Sequence, residues 1–149
     1  MTNKFSEGKN YKVVNILIPD KYIGKVELSV NAGTLSITDI ENEIVEVTGK
    51  IGEVNLQGNK SEIEIDSNLD MQINLVSHEG ALEINQLSAT SKLTVPAGYK
   101  FRSAKKGIAT NIYYEKHGKK SDDFSDAESD NYIELNGMKS ELVIAEAEV

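Results

Sequence analysis

The chain has 149 residues, of which 39% are apolar, and its formal net charge is -8. We expect a single domain over residues 1–149, because a chain of this length buries a core without help from a disulfide or a metal. The lack of cysteine excludes disulfides and thiolate metal sites. The acidic balance argues against a nucleic-acid or anionic-membrane partner, since like charges repel.

The sequence as written shows no targeting signal. Residues 1–12 lack the continuous apolar segment of a signal peptide, and no run approaches the roughly 18 apolar residues that span a bilayer. This predicts a soluble, cytoplasmic protein without a membrane span, and it leaves open a fragment of a longer, anchored protein.

The first predicted element is a strand from Tyr11 to Ile18, which ends at a turn over Pro19 and Asp20. Its apolar residues run together instead of alternating cleanly. This pattern favours a capping strand.

A short unit of apolar, polar and apolar residues then recurs along the chain. A period of two places both apolar residues on one face of a strand and the middle residue on the other. The first units are Val26-Glu27-Leu28, Leu35-Ser36-Ile37, Val45-Glu46-Val47, Val54-Asn55-Leu56 and Ile63-Glu64-Ile65, with starts 9, 10, 9 and 9 residues apart. The later units are Ile73-Asn74-Leu75, Leu82-Glu83-Ile84, Leu93-Thr94-Val95, Phe101-Arg102-Ser103 and Ile112-Tyr113-Tyr114.

The middle residues of alternate units form two chemically distinct series. One comprises Glu27, Glu46, Glu64 and Glu83, and the other comprises Ser36, Asn55, Asn74 and Thr94. Such segregation is expected if each turn of about 19 residues adds one strand to each of two stacked parallel sheets, so that equivalent residues form ladders. We therefore predict an all-β fold, a β-solenoid with two strands per coil. An antiparallel β-sandwich is the alternative, because spacing alone does not exclude it.

The period breaks after Tyr114. Residues 115–131 are rich in charge and are predicted to form a loop insertion. The apolar, polar, apolar pattern resumes at Ile133-Glu134-Leu135. This register predicts that Glu134 joins the glutamate ladder, with Arg102 between Glu83 and Glu134.

Two stretches carry a resemblance to a known family. The run from Val26 to Ile37 is echoed more weakly from Gly80 to Ile84, and the run from Leu93 to Phe101 combines a strand, a proline, a short turn and an aromatic residue. Over roughly residues 12–146 the chain resembles a bacterial family of adhesin-like domains of unknown function. The resemblance implies a parallel β-helix fold and an adhesive role at the cell envelope or outside the cell, and it supplies no catalytic residues.

The predicted glutamate row has a functional and a structural interpretation. Hard cations such as calcium favour several carboxylate oxygens, which makes four residues candidate metal ligands: Glu27, Glu46, Glu64 and Glu83. The structural interpretation is a solvated face on which Lys25 and Arg102 reduce the repulsion between the carboxylates. The acidic run from Asp122 to Asp130 lacks the glycine and closing glutamate of an EF-hand, which indicates a flexible acidic loop instead.

The neutral series invites a second binding hypothesis, a glycan or a protein strand laid across the sheet. Its candidate partner-binding residues are Ser36, Asn55, Asn74, Thr94 and Tyr113. The structural interpretation is a solvated sheet surface. Residues 99–120 carry a net charge of +6, and the acidic segment that follows favours charge pairing within the chain over a polyanionic partner.

Catalytic motifs are lacking, and the two histidines, His78 and His117, fall in predicted loops. We therefore predict a non-catalytic, adhesin-like interaction module without a cofactor. The alternative is a carbohydrate-active enzyme that uses carboxylates of the glutamate face. An uncapped solenoid end would expose strand edges, so an end-to-end homo-oligomer is a further hypothesis.

Overall fold

The computed structural model describes residues 2–4, 10–19, 21–116, 119–121 and 128–147. These residues contain strands and no helix. The strands are β1 (Thr2–Lys4), β2 (Asn10–Ile16), β3 (Lys25–Ser29), β4 (Asn31–Thr38), β5 (Ile44–Thr48), β6 (Ile51–Gln57), β7 (Asn59–Lys60), β8 (Glu62–Asp66), β9 (Gln72–Leu75), β10 (His78–Glu79), β11 (Ala81–Leu87), β12 (Thr90–Val95), β13 (Arg102–Lys106), β14 (Asn111–Lys116), β15 (Lys119–Ser121), β16 (Tyr132–Met138) and β17 (Glu141–Glu146).

The strands form two large sheets and one small one. Sheet A has the order β1-β3-β5-β8-β11-β16-β13, sheet B has the order β15-β14-β17-β12-β9-β6-β4-β2, and β7 pairs with β10. Within the described residues every pair is parallel except β14 with β15. The fold is therefore all-β with parallel sheets, and the antiparallel alternative is wrong.

Apart from β7, β10 and β15, successive strands alternate between the two large sheets, as the apolar, polar, apolar units predict. We call one strand of sheet A together with the next strand of sheet B a repeat unit. Val26, Val45, Ile63 and Leu82 lie side by side in consecutive units. They are buried, and their equivalents in sheet B, such as Leu35, are buried too. The core therefore consists of the inward apolar residues of both sheets, and it excludes water from the space between them.

The last repeat unit of the sequence does not lie at the end of the sheets. Strand β16 lies between β11 and β13, and β17 lies between β12 and β14. The predicted continuation of the period through Phe101 is therefore wrong, because the row of Leu82 continues with Ile133 and then Ser103.

Side-chain chemistry explains this order. The inward residues of β16, Ile133 and Leu135, are apolar and almost fully buried, which suits a position covered on both sides. The corresponding residues of β13 are Ser103 and Lys105, which suit the edge of a sheet.

Different structures close the two ends of the described core. At one end the ring of Phe101 lies 6.0 Å from that of Tyr99 and 6.2 Å from that of Tyr114. At the other end β2 is the edge strand of sheet B. This confirms the edge position predicted for the first strand, although β2 ends at Ile16 and Asp20 lies outside the described residues.

The predicted loop insertion at residues 115–131 is partly wrong. Glu115 and Lys116 belong to β14, and Lys119–Ser121 forms β15, which folds back on β14 as an antiparallel partner. The acidic residues Asp122, Asp123 and Asp126 lie outside the described residues, as does His117. Further on, Ser129 Oγ donates a hydrogen bond of 2.8 Å to the carbonyl of Lys100, so the chain approaches β16 beside the start of β13.

No helix of the described chain has the length and apolar character needed to cross a membrane.

Candidate functional site

A continuous row of glutamates crosses the outer face of sheet A. It consists of Glu27, Glu46, Glu64, Glu83 and Glu134, one in each of five adjacent strands. This confirms the predicted ladder and the membership of Glu134. The placement of Arg102 between Glu83 and Glu134 is wrong, since Arg102 lies beside Tyr132 and Ala104 occupies the row next to Glu134.

Cations lie at the two ends of the glutamate row. Lys25 Nζ lies 3.0 Å from Glu27 Oε1 and 3.2 Å from Glu46 Oε1, and it lowers the pKa of Glu27. At the far end Lys106 Nζ lies 3.0 Å from Glu134 Oε1. These are the ion pairs of the row within the described residues, and they leave its centre without a counter-charge.

Amide groups replace cations at the centre of the row. Asn85 Nδ2 donates a hydrogen bond of 2.8 Å to Glu64 Oε1, and Asn136 Nδ2 donates one of 2.9 Å to Glu83 Oε1. Burial raises the pKa of Glu64. The centre of the row therefore tolerates full ionisation less well than its ends do.

The neighbours Glu83 and Glu134 share a proton. The hydrogen bond between their carboxyl groups raises the pKa of Glu83 to about 8, and burial adds to this shift. The same hydrogen bond lowers the pKa of Glu134 to about 2, and contacts with Asn136, Lys106 and Tyr132 act in the same direction. At neutral pH the protonated Glu83 donates to the Glu134 carboxylate, as expected for two carboxyl groups on adjacent strands.

Replacing Glu83 by glutamine is expected to flatten the pH dependence of stability. Because the pKa of Glu83 is raised, the folded chain binds more protons than the unfolded chain between about pH 5 and 8, so the free energy of unfolding falls as pH rises through this window. Glutamine keeps a hydrogen-bond donor and does not titrate. Because Glu83 is only partly buried, solvent screening keeps the effect well below the full linkage value, and we expect the decline between pH 5 and 8 to shrink by about 1 kcal/mol, or roughly 2–4 °C in the thermal midpoint.

Thermal unfolding at a series of pH values measures this effect. Glu27→Gln is the matched control, because the pKa of Glu27 is lowered and its titration lies below the window. If the free energy of unfolding of Glu83→Gln still falls by the same amount between pH 5 and 8, the proton on Glu83 does not contribute to the pH dependence of stability.

The four predicted metal ligands are spread along the row, one per strand, about 4.8 Å apart. No group of three histidine, aspartate or glutamate side chains in the described part of the chain is arranged to hold a metal ion. Calcium binding at Glu27, Glu46, Glu64 and Glu83 therefore stays a prediction.

The neutral series forms a second row on the outer face of sheet B. Ser36, Asn55, Asn74 and Thr94 lie side by side, as predicted. Beyond Thr94 the row continues with Ala145 and Glu115. Tyr113 does not belong to it, since Tyr113 lies beside Val143.

The amide groups of the neutral row are bonded to one another. Asn74 Nδ2 donates hydrogen bonds of 2.8 Å to Asn55 Oδ1 and 3.0 Å to Glu53 Oε1. Gln72 Nε2 donates to Asn74 Oδ1 at 3.0 Å and to Thr94 Oγ1 at 3.1 Å. This network stabilises the sheet and leaves few amide groups for a ligand.

A groove of about 740 Å³ lies where the strands of sheet A turn towards sheet B. Asn31, at the start of β4, and Asn68, between β8 and β9, line it, and the side-chain oxygen of each takes part in the fold. Asn31 Oδ1 accepts a hydrogen bond of 2.9 Å from the backbone N–H of Lys50, and Asn68 Oδ1 accepts one of 3.0 Å from that of Leu87. Their Nδ2 groups bond no other described residue, which leaves two amide donors on residues that line the groove.

The remaining lining is mixed in character. Asn136 contributes a buried Oδ1 that has no hydrogen-bond partner in the described chain. Leu69 and Leu87 are 41% and 54% exposed and add apolar surface. Charge is carried by Lys50 and Asp66, one of each sign. The sequence did not predict this groove. The available signal was an asparagine beside the corner between the sheets in two of the repeat units, at Asn31 and Asn68.

His78 is buried instead of lying in a loop, so that prediction is wrong. It is 4% exposed in β10, its Nε2 lies 3.2 Å from the carbonyl of Ala81, and its own carbonyl accepts a hydrogen bond of 3.0 Å from Tyr99 Oη. Burial lowers its pKa. Its neighbour in the preceding unit is Asn59, which binds the backbone of Ile37 and Ile40, so this corner is structural.

Comparison with known proteins gives no match to a family model, to a curated protein or to a solved structure. Membership of the adhesin-like family therefore stays a prediction.

Proposed function

We propose that the chain is a β-solenoid interaction module that binds an extended, neutral oligosaccharide in the groove at the corner of sheet A. The observation that carries this proposal is the pair of unused Nδ2 donors of Asn31 and Asn68 in the groove. The parallel pairing and the near-constant register of the repeat units support the solenoid. The resemblance to adhesin-like domains agrees with a non-catalytic role at the cell envelope.

The groove is a better candidate than the predicted neutral row. In that row Asn55 and Asn74 hydrogen-bond to each other, so a ligand would have to break existing bonds. The groove instead offers the amide donors of Asn31 and Asn68, which make no bond within the described chain. A ligand there would replace water on these donors without breaking a hydrogen bond of the protein.

The spacing and the charge of the groove favour a sugar chain. The two asparagine donors of the groove lie two repeat units apart, with Lys50 between them. Two strand separations amount to about 9.6 Å, which is close to the length of two β-linked hexose residues. Leu69 and Leu87 give the C–H face of a sugar ring an apolar surface to contact. The opposite charges of Lys50 and Asp66 balance, which favours a neutral glycan over a polyanion.

Asn68→Asp tests this proposal, because it keeps the oxygen that accepts from Leu87 N–H and removes the Nδ2 donor. Isothermal titration with cellohexaose and chitohexaose should show binding by the unmodified chain and about tenfold weaker binding by the variant, the loss expected for one hydrogen bond. Asn55→Asp on the neutral row is the matched control and should bind normally. Lack of binding to either sugar at millimolar concentration contradicts the proposal. Weaker binding by Asn55→Asp alone would mean that the site lies on sheet B instead.

A carbohydrate-active enzyme is the second candidate. The opposed pKa values of Glu83 and Glu134 pair a protonated acid with an ionised carboxylate, as acid–base catalysis requires. Because the two carboxyl groups hydrogen-bond to each other, they would have to separate to about 5 Å to flank a glycosidic bond. Asn136 contacts both carboxyl groups and also lines the groove. Release of reducing ends from the same oligosaccharides, abolished in both Glu83→Gln and Glu134→Gln, would establish this function, whereas binding without turnover supports the module.

A further inference from the structure

We propose that the C-terminal repeat unit, residues 132–146, is exchanged between two copies of this chain, each copy inserting its unit between the β11/β12 unit and the β13/β14 unit of the other. This proposal goes beyond the proposed function and does not rest on it. It begins from the order of the strands, in which the last unit of the sequence lies between two earlier ones.

The two flanking units form a slot with open strand edges on both sides. Strand β16 pairs with β11 over Tyr132–Met138 and with β13 over Tyr132–Asn136, while β17 pairs with β12 and with β14. Removing the unit would leave these edges unpaired and would expose Leu82 and Ile84. Unpaired edges and exposed apolar rows recruit strands, and the strands that fit best are those of residues 132–146 from another copy, since they are identical.

The connection allows this exchange. Lys119–Ser121 is paired with β14, and Ser129 bonds the carbonyl of Lys100, so the stretch between Ser121 and Ser129 would have to bridge the two copies, and it spans at most about 28 Å. Domain exchange at such a connection needs no new interface, because every contact of the single copy is made again in the pair.

The sequence also encodes a state in which the slot is closed. Phe101 follows Leu82 by 19 residues, and Ile112 follows Leu93 by 19 residues, which is the interval between the earlier units. This spacing would allow the β13/β14 unit a second register, shifted by two residues, in which it would pair directly with β11/β12. A shift of two keeps inward residues inward, and it places Arg102 beside Glu83. This register provides an intermediate for release of the unit without global unfolding.

Exchange would make the groove a shared site. Asn136 and Gly137 of the C-terminal unit line it together with Asn68 and Leu87. In an exchanged pair each groove would therefore contain residues of both copies.

Two single-cysteine chains test the proposal, since the native sequence has no cysteine. Thr94 and Ala145 are outward partners on β12 and β17, and Cα atoms of paired parallel strands lie at a distance that a disulfide bridges. Thr94→Cys and Ala145→Cys chains are mixed at high concentration, incubated in reducing buffer, oxidised and separated on a non-reducing gel. We expect a disulfide-linked dimer that contains one chain of each kind.

Thr94→Cys mixed with Glu141→Cys is the matched control, because Glu141 is the partner of Thr90 and not of Thr94. The proposal requires a cross-linked yield several-fold above this control. Equal yields overturn it. The double variant with both Thr94→Cys and Ala145→Cys in one chain verifies that the register is retained, since it should oxidise within the monomer. If this intramolecular disulfide forms and the mixed chains still give no more cross-linked dimer than the control, the C-terminal unit stays in its own copy.

Discussion

Replacing Leu135 by alanine is expected to lower the free energy of unfolding by roughly 2–5 kcal/mol. Leu135 is fully buried in β16, between Ile84 of β11 and Lys105 of β13. Because β16 is covered on both sides, the surrounding strands cannot collapse into the cavity that the substitution leaves. Urea denaturation followed by circular dichroism measures the loss.

Met138→Ala is the matched control for this experiment. Met138 lies in the same strand and is 48% exposed, so its truncation should change the free energy of unfolding by about 0.5 kcal/mol or less. A loss for Leu135→Ala no larger than that of Met138→Ala would contradict the internal position of the C-terminal unit.

Replacing Gly107 by alanine is expected to lower the free energy of unfolding by roughly 2–5 kcal/mol, from backbone strain and overpacking together. Gly107 has a φ of +118°, a conformation that residues with a Cβ atom rarely adopt. A Cβ atom there would also overlap the backbone carbonyl of Gly137 in β16. The close approach of these two glycines lets the β13/β14 unit pack on the inserted unit, so the substitution should loosen that contact.

Gly98→Ala separates the two contributions. Gly98 has a φ of +76° and no atom within 4 Å of an added Cβ, so it should show only the conformational cost, about 1–2 kcal/mol. Both variants are compared by thermal and urea unfolding. Similar losses in the two variants would show that the contact between Gly107 and Gly137 contributes nothing to stability.

Much of the candidate site could be predicted from the sequence because side-chain direction in a strand is a local property. The alternation of apolar and polar residues placed Glu27, Glu46, Glu64 and Glu83 on one outer face, and a near-constant spacing brought them into one row. What the spacing could not supply was the chemistry of that row. The shared proton of Glu83 and Glu134 depends on two residues about fifty positions apart becoming direct neighbours.

The groove could not be predicted from the sequence for a related reason. Asparagine is common in and beside turns, where its side chain ordinarily satisfies nearby backbone. The contacts of Asn31 and Asn68 are instead long-range, because their oxygens bind the backbone of the next repeat unit while their nitrogens bond no described residue.

The sequence by itself determined that this chain is built of strands, which residues of each strand face inward, and that the outward residues form two chemically different rows. These features follow from a period of two within strands and a period of about 19 between them. The tertiary structure alone decided the position of the last repeat unit. The pattern of Ile133 and Leu135 fits any slot between parallel strands, and the choice among slots depends on which edges are left unpaired. Because Ser103 and Lys105 tolerate an edge and the apolar C-terminal unit does not, that unit lies inside and β13 lies at the end.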